Sequence, residues 1–293
     1  MALSSVARAN STPNSPDHPA PHVQQKTIPI RLYRGFLVVA EGQFGSALER
    51  QNFLLDTGTS PSIVNIDLAA PLDLTKTPVI LAALGKDSKV QGAILPEIEI
   101  GPIRVDSLPV VLSDLSRLEK DLGIPIAGVI GLDVLARATF RLDYQKKSIE
   151  FGTFTQGGIT VPLPEGSSIA LVEVNWGGTL VRMLVDTGSD QLVLLGKKHP
   201  LSGFFSAALT ADRKTGSDPA GRTKTAAGVA DRLAVQELPR AEIVLAGKKF
   251  SRAKAYWVPG SDASDFEGLL GVRSLGFRLF SFDREHRTIH LSQ

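Results

Sequence analysis

FLLDTGTS at residues 53–60 and MLVDTGSD at residues 183–190 decide how this chain is read. Each sets Asp-Thr-Gly between an apolar run and a second apolar stretch, SIVNIDLA after the first and QLVLL after the second. That context predicts a buried strand, a tight turn carrying the acid, and another strand. A carboxylate beside a packed core is costly to ionise unless something hydrogen-bonds to it or shares its charge. At average residue frequencies roughly one chain in twenty of this length carries a single Asp-Thr-Gly by accident. Two, led in by Leu54-Leu55 and Leu184-Val185, ask for a common cause.

The repetition runs well past the tripeptides. AGVIGLDVLARATFRLDYQKKSIEF at 127–151 aligns with EGLLGVRSLGFRLFSFDREHRTIHL at 267–291. An offset of 140 relates Gly131 to Gly271, Leu135 to Leu275, Phe140 to Phe280, Asp143 to Asp283 and Ile149 to Ile289. The two Asp-Thr-Gly copies are 130 apart, so the second half has gained residues in between. LPEIEIG at 95–101 also echoes LPRAEIVLAG at 238–247. Such a period is too long for a solenoid and indicates a doubled domain.

Composition leaves room for that reading. The 293 residues are 43% hydrophobic and 21% charged, enough chain for two cores. With a net charge of +2 and scattered Lys and Arg, no nucleic-acid or anionic-membrane surface is expected. The absence of cysteine excludes disulfides, thiol nucleophiles and Cys-based zinc sites. Apolar runs such as GFLVVA at 35–40 are too short to span a bilayer, so no integral membrane segment is expected.

Residues 1–26, rich in Pro, Ser, Asn and Ala, read as a disordered tail, and no apolar stretch in them has the length of a secretory signal core. His18 and His22 in that tail have no rigid element to make them a metal site. Short apolar segments separated by turn residues then predict a mainly β half over 27–155. Gly85-Lys86-Asp87 suits the turn of a projecting hairpin, DLSRLEKDL at 114–122 a short amphipathic helix, and VLARA at 134–138 part of another. RATFRLDYQKKSIEFG, ending at residue 152, reads as a closing hairpin. The second half, 156–293, repeats the plan, and its extra residues fall in the polar stretch 209–235. That stretch is either a long loop or an enlarged hairpin with Gly228 near its tip.

If the halves pack about a pseudo-twofold axis, Asp56 faces Asp186. Two carboxylates that close hold one proton between them and titrate as a unit. The pair then offers a general acid and a general base at one point, able to activate a water against an amide carbonyl. Gly58 and Gly188 let the backbone turn tightly beside each acid. Thr57 and Thr187 have hydroxyls able to cross the axis and lock the turns together. Thr59 and Ser189 are placed to donate to the outer carboxylate oxygens, which favours the charged form and activity on the acidic side.

These residues resemble the aspartic endopeptidases of the pepsin and retroviral-protease superfamily. In that family an apolar pair before Asp-Thr/Ser-Gly-Ser/Thr/Ala supplies each acid, and an apolar-apolar-Gly element threads behind the turn. Here those elements are Val129-Ile130-Gly131 and Leu269-Leu270-Gly271. GLDVL with FRLDYQKKSIEF is similar to small bacterial retropepsin-like domains, so the resemblance implies two such lobes fused in one chain. It implies an all-β fold of two pseudo-symmetric acid-protease lobes with a few short helices, and catalysis by Asp56 and Asp186. It also implies a monomer carrying its own pseudo-dimer, an extended peptide as substrate, no cofactor and no metal, and an extracytoplasmic location. The flaps depart from the family. No tyrosine lies between Tyr33 and Tyr144, and the hairpin tips LGKDS and TAAGVAD are glycine-poor and unlike each other.

Other readings are weaker. Both acids capping only their own turns leaves the matched downstream glycines without a reason. No nucleophile elbow, phosphate loop or dinucleotide fingerprint is present. Glu285, His286 and His290 are expected at exposed strand positions, Asp190 at a solvated one, and Trp176 and Trp257 in the core or an interface. A silent peptide-binding or sensor module on the same scaffold is the remaining alternative. It has no need of two complete acid motifs.

Overall fold

The structure, a computed structural model, describes residues 26–46, 48–83, 86–155, 157–164, 169–196, 236–259 and 266–293. The expected tail, with His18 and His22, lies outside them apart from Lys26, which opens the first strand. The insertion at 209–235, with Gly228, lies outside them entirely.

The first half runs β1 (Lys26–Pro29), β2 (Arg31–Tyr33), β3 (Leu37–Gly42), β4 (Gln51–Leu55), β5 (Ile63–Asn65), β6 (Thr77–Ala83), β7 (Lys86–Ile100) and β8 (Ile103–Ser113). It continues through α1 (Ser116–Leu122), β9 (Gly128–Ile130), α2 (Leu132–Leu135), β10 (Phe140–Asp143) and β11 (Ser148–Phe151). The second half runs β12 (Ile159–Pro162), β13 (Leu171–Trp176), β14 (Thr179–Asp186), β15 (Leu192–Gly196), β16 (Gln236–Leu245) and β17 (Lys248–Pro259). It ends with β18 (Gly268–Gly271), β19 (Leu279–Asp283) and β20 (Thr288–Ser292). This is an all-β fold with a few short helices.

Three sheets organise it. An eight-stranded sheet has the order β2-β3-β4-β9-β5-β8-β7-β6, and a six-stranded closed barrel has β13-β14-β18-β15-β17-β16. A third sheet, β1-β11-β10-β19-β20-β12, takes strands from both ends of the chain. Its centre is the antiparallel pair β10–β19, where Phe140 lies 5.9 Å from both Phe280 and Phe282. The main core therefore runs continuously from one half into the other.

Local sequence explains the strands that matter most. Phe53, Leu54 and Leu55 are all buried, as are Leu192 to Leu195, because sheet strands covered on both faces need unbroken apolar runs. In each half a short glycine-led strand enters between the strand before the acidic turn and the strand after it. Thus β9 pairs parallel with β4 and antiparallel with β5, and β18 does the same with β14 and β15. Gly128 and Gly268 make these insertions possible, since a Cβ on either would stand 2.5 Å from a backbone oxygen of the neighbouring strand, Ile63 or Val193.

The α1 helix falls inside the expected 114–122 segment. Its first N–H is taken by Asp114 Oδ1 at 2.9 Å, and left-handed Gly123 (φ 71°) stops it. α2 starts two residues before VLARA, at Leu132, directly after Gly131. The projecting hairpin is β6–β7, but Lys86 and Asp87 already belong to its second strand, paired with Ala83 and Ala82. β6 is a free edge of the open sheet, and Ile80 on it is 71% exposed. No helix among the described residues is long and apolar enough to cross a membrane.

Candidate active site

Each acidic turn hangs from the end of a buried strand. Asp56 follows β4, and its N–H donates to Ile130 O at 2.9 Å. Asp186 closes β14, in register with Gly271. Within the turns the Gly58 N–H donates to Asp56 Oδ1 at 2.9 Å, and the Gly188 N–H to Asp186 Oδ1 at 2.7 Å. Both carboxyl groups are buried, at 5% and 9% exposure.

The two turns are bolted to each other. The Thr57 hydroxyl donates to Val185 O at 2.9 Å and accepts from the Thr187 N–H at 3.2 Å. The Thr187 hydroxyl accepts from the Thr57 N–H at 3.0 Å and reaches Leu55 O at 3.4 Å. Both threonines are fully buried. The glycines, whose N–H groups reach the carboxylates of their own turns, also serve a second purpose. Neither Gly58 nor Gly188 has a positive φ. A Cβ on Gly58 would lie 2.8 Å from Asp186 Cγ, and one on Gly188 would lie 2.6 Å from Asp56 Oδ2. Each glycine is bare because the opposite carboxyl group occupies the space a side chain would need.

That proximity sets the electrostatics. Burial, then the charge of Asp56 and a side-chain hydrogen bond with it, hold the Asp186 carboxyl well above the usual carboxylate range, against the opposing Gly188 N–H. Thr59 and Ser189, expected to act alike, do not. The Thr59 hydroxyl donates to Asp56 Oδ2 at 3.1 Å. Ser189 instead accepts from the Gln191 N–H at 3.2 Å, with Gln191 O at 3.5 Å, so a local side-chain-to-backbone bond wins over the reach to Asp186. Asp190 is exposed, in keeping with a solvated residue.

Two smaller apolar clusters are separate from the main core. Leu54, Ile63 and Val129 belong to the first, under α1; Leu184, Val193 and Leu269 belong to the second. Trp176 is core, and Trp257 packs half-buried against it. His290 was expected to be exposed but is buried in β20, its ring nitrogens 2.9 Å from the hydroxyls of Thr160 and Thr288. Its strand is paired on both sides, with β19 and with β12. Glu285 and His286 are exposed as expected, though on the turn between β19 and β20 rather than on a strand. No cluster suited to a metal ion occurs among the described residues.

Sequence reasoning missed three residues here. Ser62 and Asp133 bond to each other behind the Asp56 turn, across 71 positions of chain. Tyr144 is buried with a hydroxyl that finds no partner among the described residues, and the Arg273 guanidinium lies 5.2 Å over its ring. Burial holds that phenol protonated, helped by the charges of Asp186 and Asp56 and opposed by Arg273. The signal for Ser62 and Asp133 was a polar residue inside each of two apolar runs; Tyr144 gave none.

Residues 40–134 match a protein-family model described as aspartyl protease. The match takes in the first acidic turn, the β6–β7 hairpin and the glycine strand behind the turn. No curated protein matches the chain.

Proposed function

We propose that the protein is an aspartic endopeptidase in which Asp56 and Asp186 share one proton and activate one water between them. The observation that carries this is the mutual approach of the two turns, each carboxyl group standing where the other's glycine would have its Cβ. Asp56 accepts from the Gly58 N–H and the Thr59 hydroxyl, whereas Asp186 accepts only the Gly188 N–H among the bonds from its own turn. Donors stabilise a carboxylate's charged form, so Asp56 holds the charge and Asp186 the proton.

In the forward step Asp56 takes a proton from the water as its oxygen attacks the peptide carbonyl. Asp186 gives its proton to the developing oxyanion. Collapse of the tetrahedral intermediate returns one hydroxyl proton to Asp186 and breaks the C–N bond, and the amine leaves with the proton that Asp56 took. The peptide lies extended beneath the β6–β7 hairpin, its side chains on either side of the acids.

The matched glycine strands and crossed threonines support the finer reading. Residues 27–155 and 156–293 are two retropepsin-like halves fused in one chain, acting as a monomer. Mass-spectrometric analysis of a peptide library incubated at several pH values tests the proposal. The expected result is internal cleavage between apolar residues, suppressed by a statine-type transition-state mimic. No cleavage at any pH, or cleavage indifferent to the mimic, overturns it.

A further inference from the structure

Asp133 stands in the first turn of α2 and is committed to a single partner residue. Its Oδ2 accepts from the Ser62 N–H at 2.9 Å, and its Oδ1 accepts from the Ser62 hydroxyl at 2.7 Å. A carboxylate can only accept, so the hydroxyl donates in the second bond, and its oxygen also accepts from the Gly131 N–H at 2.9 Å. Ser62 is 1% exposed, so its own polar groups are shielded from water.

Gly131 and Leu132 then support the acidic turn from behind. The Leu132 N–H donates to Thr59 O at 3.1 Å, and a Cβ on Gly131 would fall 2.1 Å from that same oxygen. Thr59 in turn places its hydroxyl on Asp56 Oδ2. An unbroken series of contacts thus runs from Asp133 through Ser62 and Gly131 to Thr59 and Asp56.

Among the described residues the second half has no such series. The position six residues after Asp186 is Leu192, where Ser62 stands six after Asp56, and the 140-residue offset puts Arg273 opposite Asp133. Arg273 donates to Phe277 O instead. The Gly271 N–H goes to a backbone oxygen, Gln191 O, at 2.9 Å, and Ser189 bonds to Gln191 rather than to Asp186. The half that has the side-chain clamp is also the half whose hydroxyl reaches its carboxylate.

We infer that Asp133 is a positioning residue which, through Ser62 and Gly131, holds the Thr59 hydroxyl on Asp56 and so keeps the negative charge of the pair on that side. This rests on the proteolytic reading proposed above. The other titratable and charged groups acting on the pair's surroundings, Tyr144 and Arg273, are left in place by substitutions at 62 and 133.

The test compares Asp133→Ala, Ser62→Ala and Thr59→Ala by kcat and KM across pH. Asp133→Ala lowers kcat by about tenfold, inside the hundredfold that a misplaced reacting group can cost, with KM little changed. It also moves the acidic limb of the profile to higher pH, because the charged carboxylate has lost a held donor. Thr59→Ala does the same, and the double variant Thr59→Ala/Asp133→Ala is no worse than either, since both remove one coupling. Asp133→Asn, which keeps one acceptor oxygen for Ser62, recovers part of the loss. Lower thermal stability with an unmoved acidic limb and unchanged kcat overturns the inference, as do losses that multiply in the double variant. Ser62→Ala carries the same test if Asp133→Ala does not fold. If the wild type cleaves nothing, the proteolytic reading fails by itself. The clamp is then read from carboxyl 13C signals of aspartate-labelled protein: Asp133→Ala shifts the titration of the pair if the inference holds and leaves it in place if it does not.

Discussion

The Thr57 hydroxyl makes two bonds across the boundary between the halves, in a position sealed from water. Thr57→Val keeps the shape and removes both, leaving Val185 O and the Thr187 N–H to lose a partner each. An orphaned buried group costs about 1–3 kcal/mol, so the variant is expected to lose roughly 2–4 kcal/mol in denaturant unfolding, with Thr57→Ser close to the parent. Asp186 gives the opposite result. Its proton is bound more tightly in the folded protein than in the unfolded chain. The stability due to that site is complete below the ordinary carboxylate value of about 3.9 and is lost as pH rises through the raised value. Above that raised value the parent bears the cost of a buried like-charge pair. The advantage of Asp186→Asn over the parent in melting temperature should therefore grow as pH rises through the raised value and shrink as pH falls towards 3. A difference that stays constant with pH would contradict the electrostatic account.

Among the elements, the glycine strands β9 and β18 decide whether the acidic turns exist at all. Gly131→Ala brings a Cβ to 2.1 Å from Thr59 O, a backbone atom that cannot swing aside. The expected loss is about 3 kcal/mol or more, the range of severe overpacking, together with loss of activity. Gly123→Ala is the contrasting case: it meets no atom within 4 Å and suffers only from its φ of 71°, for roughly 1 kcal/mol. Urea unfolding of the two variants separates steric cost from conformational cost. The strand–turn–strand around each acid was legible in the sequence because buried apolar runs and turn residues are local signals. So was α1, from its period. The reason for Gly58 and Gly188 was not, because the atoms that demand a glycine belong to the other turn, 130 residues away. Ser189 misled for the complementary reason. Its type matches Thr59, and only the course of the chain at Gln191 decides which partner it takes.

For the molecule as a whole, the sheet built from both chain ends makes the halves one folding unit. Phe140 sits at its centre, fully buried between strands of the two halves. Phe140→Ala should cost about 3–5 kcal/mol, and both parent and variant should unfold in one calorimetric transition. Two separate transitions would show that the halves are coupled only weakly. The repeat led to the expectation of a doubled β fold, but not that the first sheet stays open at β6 while the second closes through the antiparallel pair β13–β16. Those pairings depend on residues distant in sequence, and the hydrophobic pattern is the same for an open and a closed sheet. The acids themselves were the most legible part of the site, since two matched motifs need only a pseudo-twofold arrangement to meet.

The central claim is that residues 56 and 186 work as one proton-sharing unit, and kcat/KM for Asp56→Asn, Asp186→Asn and the double variant on one cleaved peptide tests it most directly. Each single substitution is expected to remove about 10²–10⁴-fold, the usual contribution of a positioned acid or base. The double variant should be no slower than the singles, because removing either member already disables the pair. Wild-type rates in either single variant, or losses that multiply in the double, would contradict it.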